Sequence, residues 1–452
     1  QSNAAYSVAS HLANSDPATQ GGGEAAITES SLIRLNWLNG SGGTYAKKAT
    51  GYVYPDLENT KAWTKTTLAD TKPFSAIGYY YGQEMVKRSN NTVPVGLIEA
   101  AVGGAPIGSF LPNELAEKHK TDYYRSSTQC YVTTRSNTHN GRYLYNCYLA
   151  PISRFAIAGA IWYQGESDNP ESYSRAYVEI FDDFIEHLRK SHNVLRKNFP
   201  VFIVEFPTQY EKPDSFSGSW DYMETGRIRA YMGTIPSTVR NCYMSASSDI
   251  WSNKEFANAI HPACKFEQAN RLAALAETII LGKSALDIAG GPTFKKFNLN
   301  ADKTVATIKF NNVGNGLTTI TGSTKVIGLI GLVDDPYSSN LINPRSATIT
   351  DTNEITVTFP EPIRAVAYNY DTSDFYGDTL NLCNSAKMPC IAFITPFEER
   401  DLGVFEADDI IDGANGSIRY KNISYDNLLR NGDNVFATAS NVFTITNYKG
   451  ID

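Results

Sequence analysis

Histidine and cysteine are both scarce in this chain, six of each in 452 residues, and neither is spaced as metal sites usually are. None of Cys130, Cys147, Cys242, Cys264, Cys383 and Cys390 stands in a CxxC pair, so zinc knuckles and thioredoxin-like redox centres are not expected. No Asp/His grouping suggests a bound metal, and no cofactor is called for. The chain has no run of about 18 or more apolar residues, which argues against a membrane-spanning helix. Basic clusters are missing and the formal net charge is −7, so nucleic acid is not an expected partner. No internal repeat recurs at a fixed period. The sequence opens on Gln1 without a leader-type segment, as a secreted chain that has shed its signal peptide would.

What is present points to a folded, multi-domain protein. Hydrophobic residues make up 42% and charged residues 19%, enough for a sizeable core. The length favours two or three domains. Aromatic residues reach 12%, with 27 Tyr; such rings stack on sugars, but they fill cores and edge strands as well. An even cysteine count together with Asn-x-Ser/Thr sequons at Asn39, Asn90, Asn415 and Asn422 favours an oxidising, extracytoplasmic setting: extracellular, lysosomal or periplasmic. The pairing expected is Cys130–Cys147, Cys242–Cys264 and Cys383–Cys390, one of fifteen possible connectivities.

Up to about residue 288 the chain alternates apolar runs with helical patterns. Val95–Val102, Phe155–Tyr163 and Val201–Phe206 read as strands buried on both faces, which suits a parallel sheet. Tyr173, Tyr177, Ile180, Phe181, Phe184, Ile185 and Leu188 recur at three- and four-residue spacing, which predicts an amphipathic helix of about six turns. Pro262–Leu281 reads as a second helix with proline in its first turn. This alternation implies an α/β sandwich with right-handed crossovers. From Gly290-Gly291-Pro292 the pattern becomes β-like, with strands expected at Ala306–Phe310, Ala347–Thr350, Ile355–Phe359 and Ala365–Tyr368. The expected domains are 1–288, a β-sandwich-like module at 289–398, and a polar β extension at 399–452.

Four places could carry chemistry. Ser2 in Gln1-Ser2-Asn3-Ala4 has the small, polar neighbours that a nucleophilic turn tolerates. A terminal serine is equally a frayed end, and Ser-Asn-Ala is what some affinity tags leave behind. Gly103-Gly104 follows a strand, where backbone can approach a ligand and offer an N–H to an oxyanion, or simply turn. Trp162-Tyr163-Gln164-Gly165-Glu166-Ser167-Asp168 also sits at a strand's carboxyl end, the edge where open α/β sheets bind ligands. There Gln164 could donate an amide N–H and Glu166 could accept from an imidazole; alternatively this is a polar loop with Trp162 in the core. His187 and His192 lie among charges and His11 and His139 in polar stretches, whereas His261 sits at a helix entrance, as a general base or as a satisfied core histidine.

These pieces occur together in the order seen in the sialate O-acetylesterases, a family of the SGNH-hydrolase group, which this chain resembles over about residues 1–398. The resemblance is carried by Gln1-Ser2-Asn3, Phe74–Gly82, Pro94–Ile98 leading to Gly103-Gly104-Ala105-Pro106-Ile107, Trp162–Ser167, and Ile260-His261-Pro262 with Lys265 and Arg271. It implies a three-layer α/β/α sandwich with a parallel sheet, followed by a β-rich module. It also implies a serine esterase that hydrolyses O-acetyl esters of sialic acid or related sugars, with an acetylated carbohydrate as its partner. Ser2 would be the nucleophile and His261 the base. Glu166 would be the orienting carboxylate, with Asp249 in reserve because Asn258 stands where many relatives carry Asp. Gly103, Gly104 and Gln164 would form the oxyanion hole, and Trp162, Phe110 and Asp168 would contact substrate. Ala105, Phe110 and Asp168 depart from the residues usual at those positions. The resemblance further implies a strand ahead of Ser2, so the sequence is expected to begin after the residues that form it. A sugar-binding or structural surface protein without catalysis, built on the same fold, is the alternative; a lipase or thioesterase is less favoured because no apolar lid is evident.

Overall fold

The structure is a computed structural model. It describes residues 3–14, 27–38, 63–119, 144–168, 171–191, 198–206, 222–250, 261–262, 264–283, 289–334, 340–370 and 380–396, plus short strands between 410 and 445. Ser2, Asn258, Cys130, His139 and His192 lie outside the described residues. Two compact units emerge, Gln1–Glu398 and Glu399–Asp452. Among the described residues no helix is long and apolar enough to cross a membrane.

The first unit is mixed α/β. Strands β1 (Ile33–Trp37) and β2 (Val95–Glu99) pair in parallel. Strands β3 (Ala160–Trp162), β4 (Val201–Val204) and β5 (Cys242–Ser245) form a second parallel sheet in that order. Every β4 residue is buried, as a strand covered on both faces requires. The covering helices can be assigned to faces from β3. The Trp162 ring packs on Phe181 and Phe184 of the helix Glu171–Ser191. The next side chain, Tyr163, lies beneath Lys265, the first residue of the helix Lys265–Ala276. Successive extended residues point to opposite faces, so the two helices sandwich the sheet.

The long helix matches its sequence pattern, with Tyr177, Ile180, Phe181, Phe184, Ile185 and Leu188 all buried. The predicted Pro262–Leu281 helix begins three residues later, at Lys265, and its last turn, Glu277–Leu281, widens before Gly282 ends it at φ +65°. The run expected as a strand from Phe155 contributes only Ala160–Trp162. Phe155 instead closes a turn back to Ile152 and is exposed.

From Thr293 the chain is antiparallel. Strands β6 (Thr293–Leu299), β7 (Val305–Asn311), β8 (Leu317–Thr319), β9 (Leu329–Leu332), β10 (Leu341–Ile342), β11 (Ser346–Asp351), β12 (Glu354–Thr358), β13 (Ala365–Tyr368), β14 (Leu382–Asn384) and β15 (Phe393–Ile394) follow in order. They form four-stranded sheets β11-β12-β7-β6 and β10-β9-β13-β15, with β14 pairing β8. Phe393 of the second sheet meets Phe294 and Phe310 of the first at centroid separations of 5.5 and 5.6 Å, an aromatic core joining the two sheets. The second unit holds β-strands alone among its described residues: Ile410–Gly413, Ser417–Tyr420 and Ile423–Tyr425 in one antiparallel sheet, and the pair Val435–Ala437 with Phe443–Ile445.

Two of the cysteine pairings are corrected: Cys242, Cys264, Cys383 and Cys390 are free, buried thiols, while the third expected pairing, Cys130–Cys147, involves a residue outside the described ones. Cys383 stands across from Pro389, and the Cys390 N–H bonds the Leu382 carbonyl. The two cysteines are therefore one register step apart, with side chains on opposite faces. Cys242 opens β5, whereas Cys264 precedes a helix that enters beyond the strand's far end, near Ser247. A four-residue strand spans roughly 10 Å, too far for one bridge.

Candidate active site

Three stretches far apart in sequence meet through one buried asparagine. The Asn3 side-chain amide donates to Glu166 Oε1 at 2.8 Å, and Lys265 Nζ donates to Asn3 Oδ1 at 2.8 Å. Lys265 is fully buried; its ammonium lies 4.8 Å from the Tyr163 ring centroid and 5.5 Å from that of Tyr6. Tyr6 in turn faces His261, ring to ring at 6.1 Å. His261 is half-buried, and that burial lowers its pKa; the Lys265 charge lowers it further, while Glu166 opposes both. Burial also brings Lys265 down to about 8.

The segment carrying Asn3 and Tyr6 is held by the start of the helix Ala76–Arg88. Ser75 caps that helix, accepting from the Gly78 N–H, and its hydroxyl donates to the Ala4 carbonyl at 2.6 Å. The Ala76 N–H bonds the Tyr6 carbonyl, and the Ser75 N–H bonds Glu99 Oε2 at 2.7 Å. Glu99 closes β2 and is buried, which pushes its carboxyl up to about 8 against the pull of the Ser75 N–H. A residue ordinarily found at the surface thus props the turn next to Ser2 from inside.

The other expected residues divide into two groups. Gly103 and Gly104 form an exposed turn after β2, with Gly104 at φ +69°, a conformation that favours glycine. Beneath them lies a buried polar network. Gln164 uses its amide N–H groups on the Ala105 carbonyl, at 3.2 Å, and on Asp168 Oδ2, and its carbonyl oxygen accepts from the Tyr177 hydroxyl at 2.8 Å. Asp168 Oδ2 also accepts from the Ile107 N–H at 3.0 Å. Gln164 and Asp168 therefore tie β3 to the glycine loop, and neither presents surface to a ligand. Phe110 is 1% exposed and packs edge-on against Trp162, whose indole N–H donates to Tyr177. Asp249 is exposed and gives both its oxygens to Arg271, at 2.7 and 2.8 Å.

Of the two candidate carboxylates, Glu166 is the one that acts electrostatically on His261. The remaining described histidines have other partners: His11 packs against Tyr80, His187 contacts Glu114, and His119 contacts Asp183. His119, Glu179 and Asp183 bring ligand-type atoms within 4.8 Å of one another, a grouping that spacing along the chain does not reveal. The Lys118 ammonium already sits on the same Asp183 oxygen that His119 contacts, so a cation there would displace an existing ion pair.

Tyr6 and Glu99 carry no motif, and Asn3 and Tyr163 lie within the motif blocks without a role that the sequence assigns to them. Lys265 did have a signal. It shares one helical stripe with the buried residues Gln268, Ala269 and Leu272, a position where a lysine without a partner would be costly.

Residues 58–255 match the family described as carbohydrate esterase, sialic acid-specific acetylesterase. Human sialate O-acetylesterase is 26% identical over 255 residues, 53% of this chain and 46% of the relative. The mouse sialate O-acetylesterase is 25% identical over 173 residues, covering 37% of this chain and 31% of the relative. The chain thus spans about half or less of the length of these relatives. A crystal structure of a carbohydrate acetylesterase from Xanthomonas citri superposes with a TM-score of 0.65 at 20% identity, covering 88% of this chain and 79% of that one, a likeness of fold. The resemblance to the sialate O-acetylesterases, a family of carboxylic ester hydrolases, stands on these matches.

Proposed function

We propose that this relative of the sialate O-acetylesterases hydrolyses O-acetyl esters of sialic acid or related sugars, with Ser2 as nucleophile, His261 as base and Glu166 as the carboxylate that steadies the imidazolium. The observation that supports this best is the bridge from Lys265 through Asn3 to Glu166, because it gathers the residue after Ser2, the Glu166 turn and the His261 block in one place. Ser2 Oγ attacks the acetyl carbonyl carbon while His261 takes its proton. The tetrahedral intermediate collapses, and the departing sugar oxygen receives that proton. Water then attacks the acetyl-serine by the same route, releasing acetate and restoring the serine hydroxyl. Backbone N–H groups of Ser2 and of the Gly103-Gly104 turn are placed by this reading to receive the oxyanion. Gln164 serves it indirectly, by fixing Ala105. With both oxygens of Asp249 engaged by Arg271, Glu166 is the preferred third member. The sequons support an extracytoplasmic setting; the free thiols withdraw the cysteine argument for it.

Acetate release from a panel of O-acetylated sugars tests the reading. The wild type should turn over at least one of them, and His261→Ala should fall by about 10³-fold or more in kcat/KM. Because the base has a lowered pKa, the acidic limb of the wild-type profile should lie below the ordinary imidazole value of 6.5. Tight glycan binding with no acetate released would instead select the non-catalytic, sugar-binding alternative.

A further inference from the structure

The geometry points to Lys265 as a positioning residue: through Asn3 it holds the Glu166 carboxylate and the turn that carries Ser2 in a single fixed arrangement. This rests on the catalytic reading above and adds to it the part that sets the alignment.

A lysine ammonium can only donate, and an ionised carboxylate can only accept. Asn3 stands between the two, with its oxygen toward Lys265 and its nitrogen toward Glu166. Its amide orientation is therefore fixed by chemistry, since a flipped amide would set donor against donor and acceptor against acceptor. All three side chains are buried, Asn3 at 2% exposure, Lys265 at 0% and Glu166 at 9%, so water competes little for these bonds. The Lys265 cation also balances the buried Glu166 charge and is cradled by the faces of Tyr163 and Tyr6. The arrangement is rigid on the lysine side. Lys265 opens the helix Lys265–Ala276, which is anchored through Arg271 to Asp249 and the Ala246 carbonyl.

Removing the ammonium takes the Lys265 bond from the Asn3 oxygen and the Lys265 charge from the neighbourhood of Glu166. The amide is then free to turn, and with it the backbone beside Ser2. Lys265 need never touch substrate for this to slow the reaction, because alignment errors of about 1 Å at a reacting centre cost on the order of a hundredfold in rate.

The test compares wild type, Ser2→Ala, Lys265→Met and Asn3→Asp, using acetate release from an O-acetylated sugar together with thermal melting of each protein. Lys265→Met keeps an unbranched side chain one atom shorter, without the charge. Asn3→Asp keeps the shape and the Lys265 contact but, when ionised, sets an acceptor and a like charge against Glu166 in place of the donor. Both variants are expected to remain folded and to lose about 10- to 100-fold in kcat, with KM changed by no more than about threefold. The double variant should be hardly worse than either single one, because both break the same bridge. A purely structural lysine would lower the melting temperature and leave kcat per folded molecule unchanged, and that result overturns the inference. If Lys265→Met does not fold, Asn3→Asp decides alone: a folded protein with wild-type kcat overturns the inference. If acetate release survives Ser2→Ala, the catalytic reading falls and takes this inference with it. If Ser2→Ala abolishes release while Lys265→Met and Asn3→Asp are unimpaired, only this inference falls.

Discussion

Glu99 shows how much of the site's support is invisible to motif reading. In sequence it is the fifth residue of an apolar run; in the structure its buried carboxylate receives the Ser75 N–H, and Ser75 in turn holds Ala4. Its pKa, raised to about 8 by burial, has a direct thermodynamic consequence. The folded state keeps a proton that the unfolded chain loses near the ordinary value of 4.5. This group's contribution is therefore fully present below that value and is lost as pH rises toward 8, at about 1.4 kcal/mol per pH unit within the window. Glu99→Gln can still accept from Ser75 through its one carbonyl oxygen, so it should fold and show a shallower decline of stability from pH 5 to 8 in urea titrations; an unchanged slope would contradict the assignment. Glu205 behaves differently. Its pKa is raised to about 7, and its two oxygens accept from the Ser247 and Ala392 N–H groups. A glutamine has one acceptor where two are needed, so Glu205→Gln should cost about 1–3 kcal/mol at neutral pH.

Elements were legible where burial is uniform and obscure where it is not. The strand read at Ala365–Tyr368 matches β13 residue for residue, because all four positions are buried. β5 was passed over: Cys-Tyr-Met-Ser is short and mixed, and only its place beside β4 makes it a strand. The Phe155 run failed for the opposite reason, being apolar in composition but exposed in its first half. The helix Tyr222–Met232 has no clear amphipathic stripe because what it docks against is backbone. A Cβ on Gly226 would lie 1.5 Å from the Tyr370 carbonyl oxygen, and one on Gly233, just past the helix, 1.7 Å from that of Ala392. Arg229 reinforces the contact with two hydrogen bonds to the Asn369 carbonyl. This helix is thus the seam between the parallel and antiparallel parts of the first unit. Gly226→Ala should destabilise it by about 2 kcal/mol or more, since carbonyl oxygens cannot move aside as side chains do. A urea midpoint equal to wild type would show that the seam is looser than described.

At the scale of the whole molecule, the sequence blocks suggest the proposed chemistry but do not say how they are held together. Ser2, Glu166 and His261, the proposed triad, are named from the motif blocks alone. The bridge between Asn3 and Lys265 is not legible, because a partnership across 262 residues leaves no local trace. The cysteines illustrate the reverse error: an even count suggested bridges, yet register and strand length keep the described thiols apart. Alkylation in denaturant without reductant should modify at least four cysteines, Cys242, Cys264, Cys383 and Cys390, and recovery of a Cys242–Cys264 or Cys383–Cys390 bridge would contradict the structure. The central claim remains the nucleophile. Treating the native protein with a serine-reactive fluorophosphonate and mapping the adduct by peptide mass spectrometry tests it directly. One adduct is expected, on Ser2, appearing together with loss of acetate release and slowed strongly in His261→Ala. An adduct on a different serine, or full inhibition with Ser2 unmodified, would contradict it.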